Sequence, residues 1–238
     1  MMLRRRAGAV VAMLVVLLFA GAMLFAHSRA KEGPADRPSL LLLTSLPLLF
    51  GEGFTLDQTG SAALTRLQSR YGVRTIALAD RASLAGHQLL LLAHPRAQTA
   101  EALVDLDAWV RAGGRVLLLA DPALDWPSER PLGDRLRPPP GFSDTGLLAH
   151  WGVTLSPPSQ RGLVVETVGG RKVGFSSPGR LTAARCVMDG GSTIARCGIG
   201  RGRVTIIADA DLLNPDESGA EAAQNLDMVM AELAVLAR

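Results

Sequence analysis

Two short apolar runs constrain the fold of this sequence most: residues 116–120 (VLLLA) and 204–208 (VTIIA). The first run has no polar alternation, which is typical of strands in a parallel sheet that is buried on both faces. Each run ends at an aspartate, Asp121 or Asp209, and Asp211 follows two residues after the second. In open α/β sheets ligands bind beyond the carboxyl ends of the strands, so these aspartates are candidate binding residues.

The remaining patterns alternate between strand and helix, which predicts a three-layer α/β sandwich with a mainly parallel sheet. A β-hairpin insertion is expected before the last strand, and Ser218 and Glu221 form an S-x-x-E capping box before the final helix. The predicted strands are 39–45, 73–79, 88–93, 116–120 and 203–208, the predicted helices 60–71 and 99–112 with a short patch at 145–151, and the predicted hairpins 162–175 and one between the cysteines.

The N-terminus predicts one transmembrane helix. Residues 7–26 are twenty uncharged, mostly apolar residues, and a helix of that length spans ~30 Å, the thickness of the hydrocarbon core of a bilayer. The alternative is a cleaved signal peptide, for which residues 28–30 (SRA) offer a poor cleavage site. We expect a cytoplasmic tip and anchor at 1–26, a juxtamembrane linker at 27–38, and an extracytoplasmic domain at 39–238 with a proline-rich lobe and hairpins at 122–200.

Cys186 and Cys197 flank a segment with a Gly-Gly turn. They could therefore face one another across a hairpin and form a disulfide in an oxidising compartment. The alternative is a pair of unbonded buried thiols. A zinc site is not predicted, because no histidine lies near them in the sequence.

The chemistry of the acidic residues has two interpretations. If the two aspartate-ended strands are neighbours, Asp121, Asp209 and Asp211 converge, Asn214 could add an amide, and the oxygens could hold a cation or a hydroxylic ligand. In the other interpretation these residues only form the turns after their strands. His94 follows the third strand and could act as an acid or base or be an ordinary loop residue.

Other function classes find little support in the sequence. The formal net charge is +3 and the basic residues are scattered, so nucleic-acid binding is not expected. There is no G-x-S-x-G nucleophile motif, and no cofactor is predicted.

A family resemblance follows from four motifs: LLLLAHP at 89–95, LDAWVRAGGRVLLLADP at 106–122, GRGRVTIIADADLLN at 200–214, and Asn225 in the last helix. Together they resemble bacterial membrane-anchored proteins of unknown function with a class I glutamine amidotransferase-like domain. These proteins are similar to auxiliary subunits of gliding-motility-type ABC transport systems. This sequence departs from the larger transporter-associated proteins of this kind, because it has one terminal anchor and no predicted C-terminal transmembrane helix.

This resemblance implies a flavodoxin-like sheet, a periplasmic domain on a single-pass inner-membrane protein, and the loss of the amidotransferase nucleophile. The positions that match the family motif are Asp121, Asp209, Asp211, Asn214 and Asn225. The expected function is non-enzymatic binding of a protein partner or small ligand beside an ABC-type permease or another envelope protein. The alternatives are a metal-assisted hydrolase that uses Asp121, Asp209 and His94, and a solute receptor.

Overall fold

The computed structural model describes residues 37–50, 60–214 and 222–238, and residues 38–238 form one compact unit. The described residues form eleven strands: β1 Ser39–Thr44, β2 Gly72–Thr75, β3 Leu89–Ala93, β4 Arg115–Leu119, β5 Val153–Ser156, β6 Leu163–Val168, β7 Arg171–Ser176, β8 Arg180–Ala183, β9 Cys186–Asp189, β10 Ile194–Ile199 and β11 Gly202–Ile207. They also form five α-helices: α1 Ala62–Gln68, α2 Arg81–Leu84, α3 Ala100–Arg111, α4 Leu147–His150 and α5 Ala222–Leu236.

Seven strands form the central sheet in the order β2-β1-β3-β4-β11-β10-β9. All neighbouring pairs from β2 to β11 are parallel, and β10 runs antiparallel to both of its neighbours. The mainly parallel sheet predicted from the apolar runs is confirmed. The order of the first five strands is that of flavodoxin-like sheets, in which the chain reverses direction across the sheet between β1 and β3.

The strands are apolar on both sides because helices cover both faces of the sheet. Leu40 and Leu42 of β1 lie in a core with α1 and α5, to which Leu67 and Leu233 belong. On the other face, Leu41 and Leu43 of β1 lie in a second core that includes residues of α2, α3 and α4. Alternate residues of a strand point to opposite faces, so each run of leucines supplies both cores. The three layers follow from this arrangement.

The segment between β4 and β11 carries the additional β-structure. β6 and β7 form a two-stranded antiparallel sheet, as does the pair β5 and β8, while β9 and β10 extend the central sheet. Cys186 of β9 and Cys197 of β10 are directly paired across the ladder. A disulfide joins these two residues, and their Cα atoms are 4.4 Å apart.

The structure corrects several of the predicted boundaries. The strand predicted at 73–79 ends at Thr75, and the helix predicted at 60–71 is limited to Ala62–Gln68. The short helix α2, which begins after the Asp80 cap, and the β5–β8 pair were not predicted. Residues 7–26, Ser218 and Glu221 lie outside the described residues. Within the described ranges, no helix is long and apolar enough to cross a membrane.

Gly202 is the first residue of β11, and it lies against the backbone at the end of α3 and just before β4. A Cβ atom at this position would overlap the backbone carbonyl oxygens of Val110 and Gly114. Gly198, on the neighbouring strand β10, has open space where its Cβ would be. Backbone atoms cannot move aside as a side chain can, so β11 requires glycine at position 202.

We expect Gly202→Ala to lower the free energy of unfolding by roughly 1–3 kcal/mol or more, because it overpacks a site enclosed by backbone. The matched control Gly198→Ala should change this free energy by less than about 1 kcal/mol. Urea unfolding monitored by circular dichroism measures both. Equal losses of stability in the two variants would contradict the close approach at β11.

Candidate functional site

Three aspartates converge at the carboxyl ends of β4 and β11. These strands are parallel neighbours in which Leu119 pairs with Ile207, so Asp121 and Asp209, two residues further along, lie side by side. A 3-10 helix, Asp211–Leu213, follows β11, and it returns Asp211 to the same place. One carboxylate oxygen from each of the three lies within 4.8 Å of those of the other two. All three residues are buried.

The Asp121 carboxylate joins the turns that follow the two strands. Its Oδ1 accepts a hydrogen bond from the backbone N–H of Ala123 (2.7 Å), and its Oδ2 accepts one from that of Ala210 (2.8 Å). The first bond forms the turn into the proline-rich segment. The second links β4 to the residue after Asp209. Both oxygens of Asp121 are therefore used to satisfy backbone donors.

The other two aspartates bind segments that are distant in sequence. Asp209 accepts hydrogen bonds from the N–H of Ser176 at the end of β7 (2.6 Å) and of Leu212 (3.2 Å). Asp211 accepts one from the N–H of Asp125 (2.9 Å). Buried N–H groups without a partner are costly, so these carboxylates stabilise the chain on both sides of the cluster.

Burial raises the affinity of Asp121 and Asp209 for protons. Desolvation, with a smaller contribution from the charge of Asp125, raises the pKa of Asp121 to about 6. Desolvation, followed by the charges of Asp121 and Asp211, raises the pKa of Asp209 well above its ordinary value. Carboxylate oxygens are also the ligands that Ca²⁺ and Mg²⁺ prefer. The cluster can therefore bind protons or a cation.

The remaining predicted site residues lie outside this cluster and have other contacts. Asn225, in α5, is buried and clamps Gly174 of β7: its Oδ1 accepts from the Gly174 N–H (3.0 Å) and its Nδ2 donates to the Gly174 carbonyl (2.8 Å). Asn214 is buried at the end of the 3-10 helix, where its N–H donates to the Asp211 carbonyl (2.8 Å). Asn225 and Asp209 thus hold successive parts of β7 against the domain.

His94 is buried directly after β3, with a left-handed backbone conformation (φ 47°). Its Nε2 is 2.9 Å from the carbonyl oxygen of Pro139, so Nε2 carries the proton and donates it. Desolvation is the main reason that the pKa of His94 is lowered, and the imidazole is neutral at pH 7. Because it binds the proline-rich segment, His94 positions that segment over the edge of the sheet.

Sequence reasoning missed several polar residues that the fold uses. Asp125 accepts hydrogen bonds from the hydroxyls of Ser176 (3.1 Å) and Ser177 (2.6 Å). Arg196 of β10 forms a bidentate ion pair with Glu232 of α5. Glu232 could have been noticed, since it interrupts the apolar face of the last helix. Ser176 and Ser177 carry no local signal, because their partner is some fifty residues away.

A cavity of about 20 Å³ lies between the ends of β3 and β4 and the start of α3, bounded by Leu92, Leu118 and Phe142. That is room for about one water molecule. A larger open cleft, about 740 Å³, lies between α1 and α5 around Arg66 and Asp227, and it includes none of the aspartates at the strand ends.

Comparison with known proteins identifies the family. Residues 37–159, just over half of the chain, match the family described as "ABC-type uncharacterized transport system". The chain belongs to this family. The match covers the sheet from β1 to β4 and the proline-rich segment. No curated protein matches the sequence.

Solved structures share the fold of this family member at low identity. Cytoplasmic protein STM1381 from Salmonella typhimurium LT2 is 13% identical, with a TM-score of 0.55 over 84% of this chain and 99% of that one. The mmIFT52 N-terminal domain is 17% identical, with a TM-score of 0.53 over 82% and 96%. The exo-beta-1,4-mannosidase Op5Man5 from Opitutaceae bacterium strain TAV5 is 14% identical, with a TM-score of 0.52 over 83% of this chain but only 36% of that one. At these identities the similarity shows the fold alone.

The raised pKa values of the cluster make a prediction about pH. Because the folded-state pKa of Asp121 and Asp209 lies above the ordinary 3.8, the native state binds more protons than the unfolded state above about pH 4. The contribution of the cluster to stability is therefore present at low pH and is lost as the pH rises through about 6 and beyond. Asp209→Asn should flatten this decline, which is about 1.4 kcal/mol per pH unit for each full proton.

Urea unfolding between pH 4 and pH 8 measures the slope for the wild-type protein and the variant. The slope of stability against pH is measured, rather than stability itself, because Asp209→Asn also has a pH-independent cost. The amide has only one oxygen, so it cannot accept from both the Ser176 and the Leu212 N–H groups. If a cation rather than protons neutralises the cluster, Ca²⁺ or Mg²⁺ should raise the melting temperature of the chelated wild-type protein but not that of Asp209→Asn. That outcome would contradict neutralisation by protons.

Asn225→Ala should destabilise the domain strongly, because it leaves the N–H and the carbonyl of Gly174 without their buried partner. We expect a loss of roughly 2–4 kcal/mol in the free energy of unfolding. Gln224→Ala, at the exposed neighbouring position of the same helix, is the matched control and should change stability by less than about 0.5 kcal/mol. Equal effects of the two substitutions would refute the clamp on β7.

Proposed function

We propose that this protein is a membrane-anchored, extracytoplasmic auxiliary component of an ABC-type transport system, and that its α/β domain binds a protein partner without catalysing a reaction. The observation that carries the proposal is the family match over residues 37–159. The family description names a transport system, and the chain itself offers no ATP-binding P-loop motif. An auxiliary role therefore fits this chain better than the role of the ATP-hydrolysing subunit.

Two features support placement outside the cytoplasm. Residues 7–26 form the apolar run from which the transmembrane helix is predicted. The disulfide between Cys186 and Cys197 is typical of proteins in an oxidising compartment such as the periplasm. We therefore propose an inner-membrane anchor with the domain in the periplasm.

The use of the aspartates supports a binding role over catalysis. Asp121, Asp209 and Asp211 are buried, and each accepts backbone hydrogen bonds that hold neighbouring segments. In the amidotransferase-like resemblance, Asp121 occupies the turn at which a class I glutamine amidotransferase presents its cysteine nucleophile. A carboxylate that accepts two N–H bonds there stabilises the turn and is not free to attack a substrate.

The proline-rich segment 122–142 offers a surface for the partner. It lies at the carboxyl edge of the sheet, where α/β domains bind their ligands. Its leucines Leu132 and Leu136 are 81% and 66% exposed. Two large apolar side chains exposed within one segment are candidate contacts for a protein partner. This exposed apolar pair favours a protein partner over a small ligand.

A metal-assisted hydrolase is the second candidate, and the close approach of the three carboxylates is the observation that favours it. Against it, the same carboxylates are buried beneath β7 and the proline-rich segment. If metal added to the chelated protein does not raise its melting temperature, the hydrolase is ruled out, because it requires a bound cation.

We expect the full-length protein, solubilised from membranes in mild detergent, to co-purify with the membrane subunit of an ABC-type transporter. Leu132→Ser combined with Leu136→Ser should reduce that recovery about tenfold, because it removes the exposed apolar contact. Val104→Ser combined with Val235→Ser, at exposed positions of α3 and α5, is the matched control. Quantitative mass spectrometry measures recovery, and finding no transporter subunit with the wild-type protein would reject the proposal.

A further inference from the structure

Arginines line one edge of the central sheet. The strands β2, β4, β9 and β11 run in the same direction, so their first residues lie at a common edge. Each of these strands begins beside or with an arginine. We call this set the arginine edge, and it consists of Arg70 before β2, Arg115 in β4, Arg185 before β9, and Arg201 and Arg203 on either side of Gly202 in β11.

Carboxylates do not neutralise the arginine edge within the described part of the chain, where the ion pairs involve other arginines. Arg115 and Arg203 donate to the carbonyls of Ala237 and Leu236 at the end of α5 (3.0 and 3.2 Å), and Arg201 donates to that of Ala112 after α3 (3.1 Å). These contacts hold the side chains at the edge and leave their full charge. Arg70, Arg185, Arg201 and Arg203 are exposed.

Three of the same strands lead to an aspartate at their other end. β4 runs from Arg115 to the turn at Asp121, and β11 runs from Arg203, near its start, to the turn at Asp209. β9 follows Arg185 and ends at Asp189. The arginine edge thus collects five positive charges where these strands begin, although the net charge of the whole chain is only +3. A concentration of charge of one sign is attracted to a surface of the opposite charge.

We propose that the arginine edge docks on the anionic phosphate headgroups of the membrane that anchors the chain. This inference depends on the membrane anchor of the proposed function. The described domain begins at this edge, since β1 starts there at Ser39. The predicted linker, 27–38, extends at most ~40 Å when fully stretched, so it keeps the edge close to the bilayer surface.

The shape of the arginine edge favours an extended surface as its occupant. Strands in a sheet are about 4.8 Å apart, so arginines distributed from β2 to β9 extend over roughly 30 Å. Such a row fits many separate phosphates better than a single anion. Guanidinium groups also match phosphate oxygens in geometry, because they can donate two parallel hydrogen bonds. An anionic lipid surface supplies phosphates at that spread and keeps the carboxyl edge with Leu132 and Leu136 directed away from it.

Hydrogen–deuterium exchange of the full-length protein in lipid nanodiscs tests the proposal. Nanodiscs of phosphatidylcholine alone are compared with nanodiscs that contain equal amounts of phosphatidylglycerol. We expect amides in 184–187 and 199–204 to exchange at least about threefold more slowly on the anionic lipid at about 50 mM salt. The protection should disappear at about 500 mM salt, because the screening length falls to about 4 Å.

Two double variants of the full chain identify the residues responsible. Arg185→Gln with Arg201→Gln should abolish the slower exchange on anionic lipid. The matched control, Arg81→Gln with Arg135→Gln, removes two exposed arginines that are not on the arginine edge and should retain it. Circular dichroism of both variants shows whether they remain folded.

The outcomes separate this proposal from the anchor on which it rests. If the protein is removed from membranes by alkaline extraction, the anchor is wrong and the docking proposal fails with it. If the protein resists extraction but exchanges equally in neutral and anionic nanodiscs, the anchor stands and the docking proposal is wrong. Protection of 199–204 that appears only with a co-purified protein would assign the arginine edge to a protein partner and also overturn the proposal.

Discussion

Buried carboxylates that accept backbone hydrogen bonds determine how the chain continues beyond the ends of β4 and β11. Asp121 joins the two turns to each other, and Asp209 fixes the end of β7. Without these acceptors, the chain leaving each strand would bury N–H groups that have no partner. The parallel sheet brings the aspartates together, and the aspartates in turn let the insertion fold over the edge of the sheet. The rest of the carboxyl edge depends on this arrangement.

The sequence was sufficient to predict the mainly parallel sheet, because strands with apolar residues on both faces require covering layers. It predicted the convergence of Asp121 with Asp209 only on the condition that their strands are neighbours, since neighbouring parallel strands end at one edge. The function of the aspartates could not be predicted in the same way. Their partners Ser176 and Asp125 come from segments whose path over the edge has no periodic signal. Similarly, β5 and β8 are short and pair across a long separation, and Asn225 matched a family motif without indicating that it clamps Gly174.

The fold of this chain does not determine its function. The chain shares its architecture with a Salmonella protein, the mmIFT52 N-terminal domain and part of a mannosidase at 13–17% identity. A sheet that can occur in such different proteins places a site at its edge without specifying its chemistry. The family match therefore carries the functional argument, and the structure contributes the surfaces: an apolar segment at one edge and the arginine edge at the other.

The disulfide between β9 and β10 has a consequence for the alignment of the outermost strand. Side chains alternate between the two faces of a sheet, so a slip of β9 by one residue would exchange the positions of Val187, which is exposed, and Met188, which contacts the core. Hydrogen bonds alone permit such a slip at an edge strand, because the strand has only one neighbour. The covalent link between directly opposite residues excludes it. The cross-link thus selects one of two otherwise similar pairings and keeps Met188 against the core.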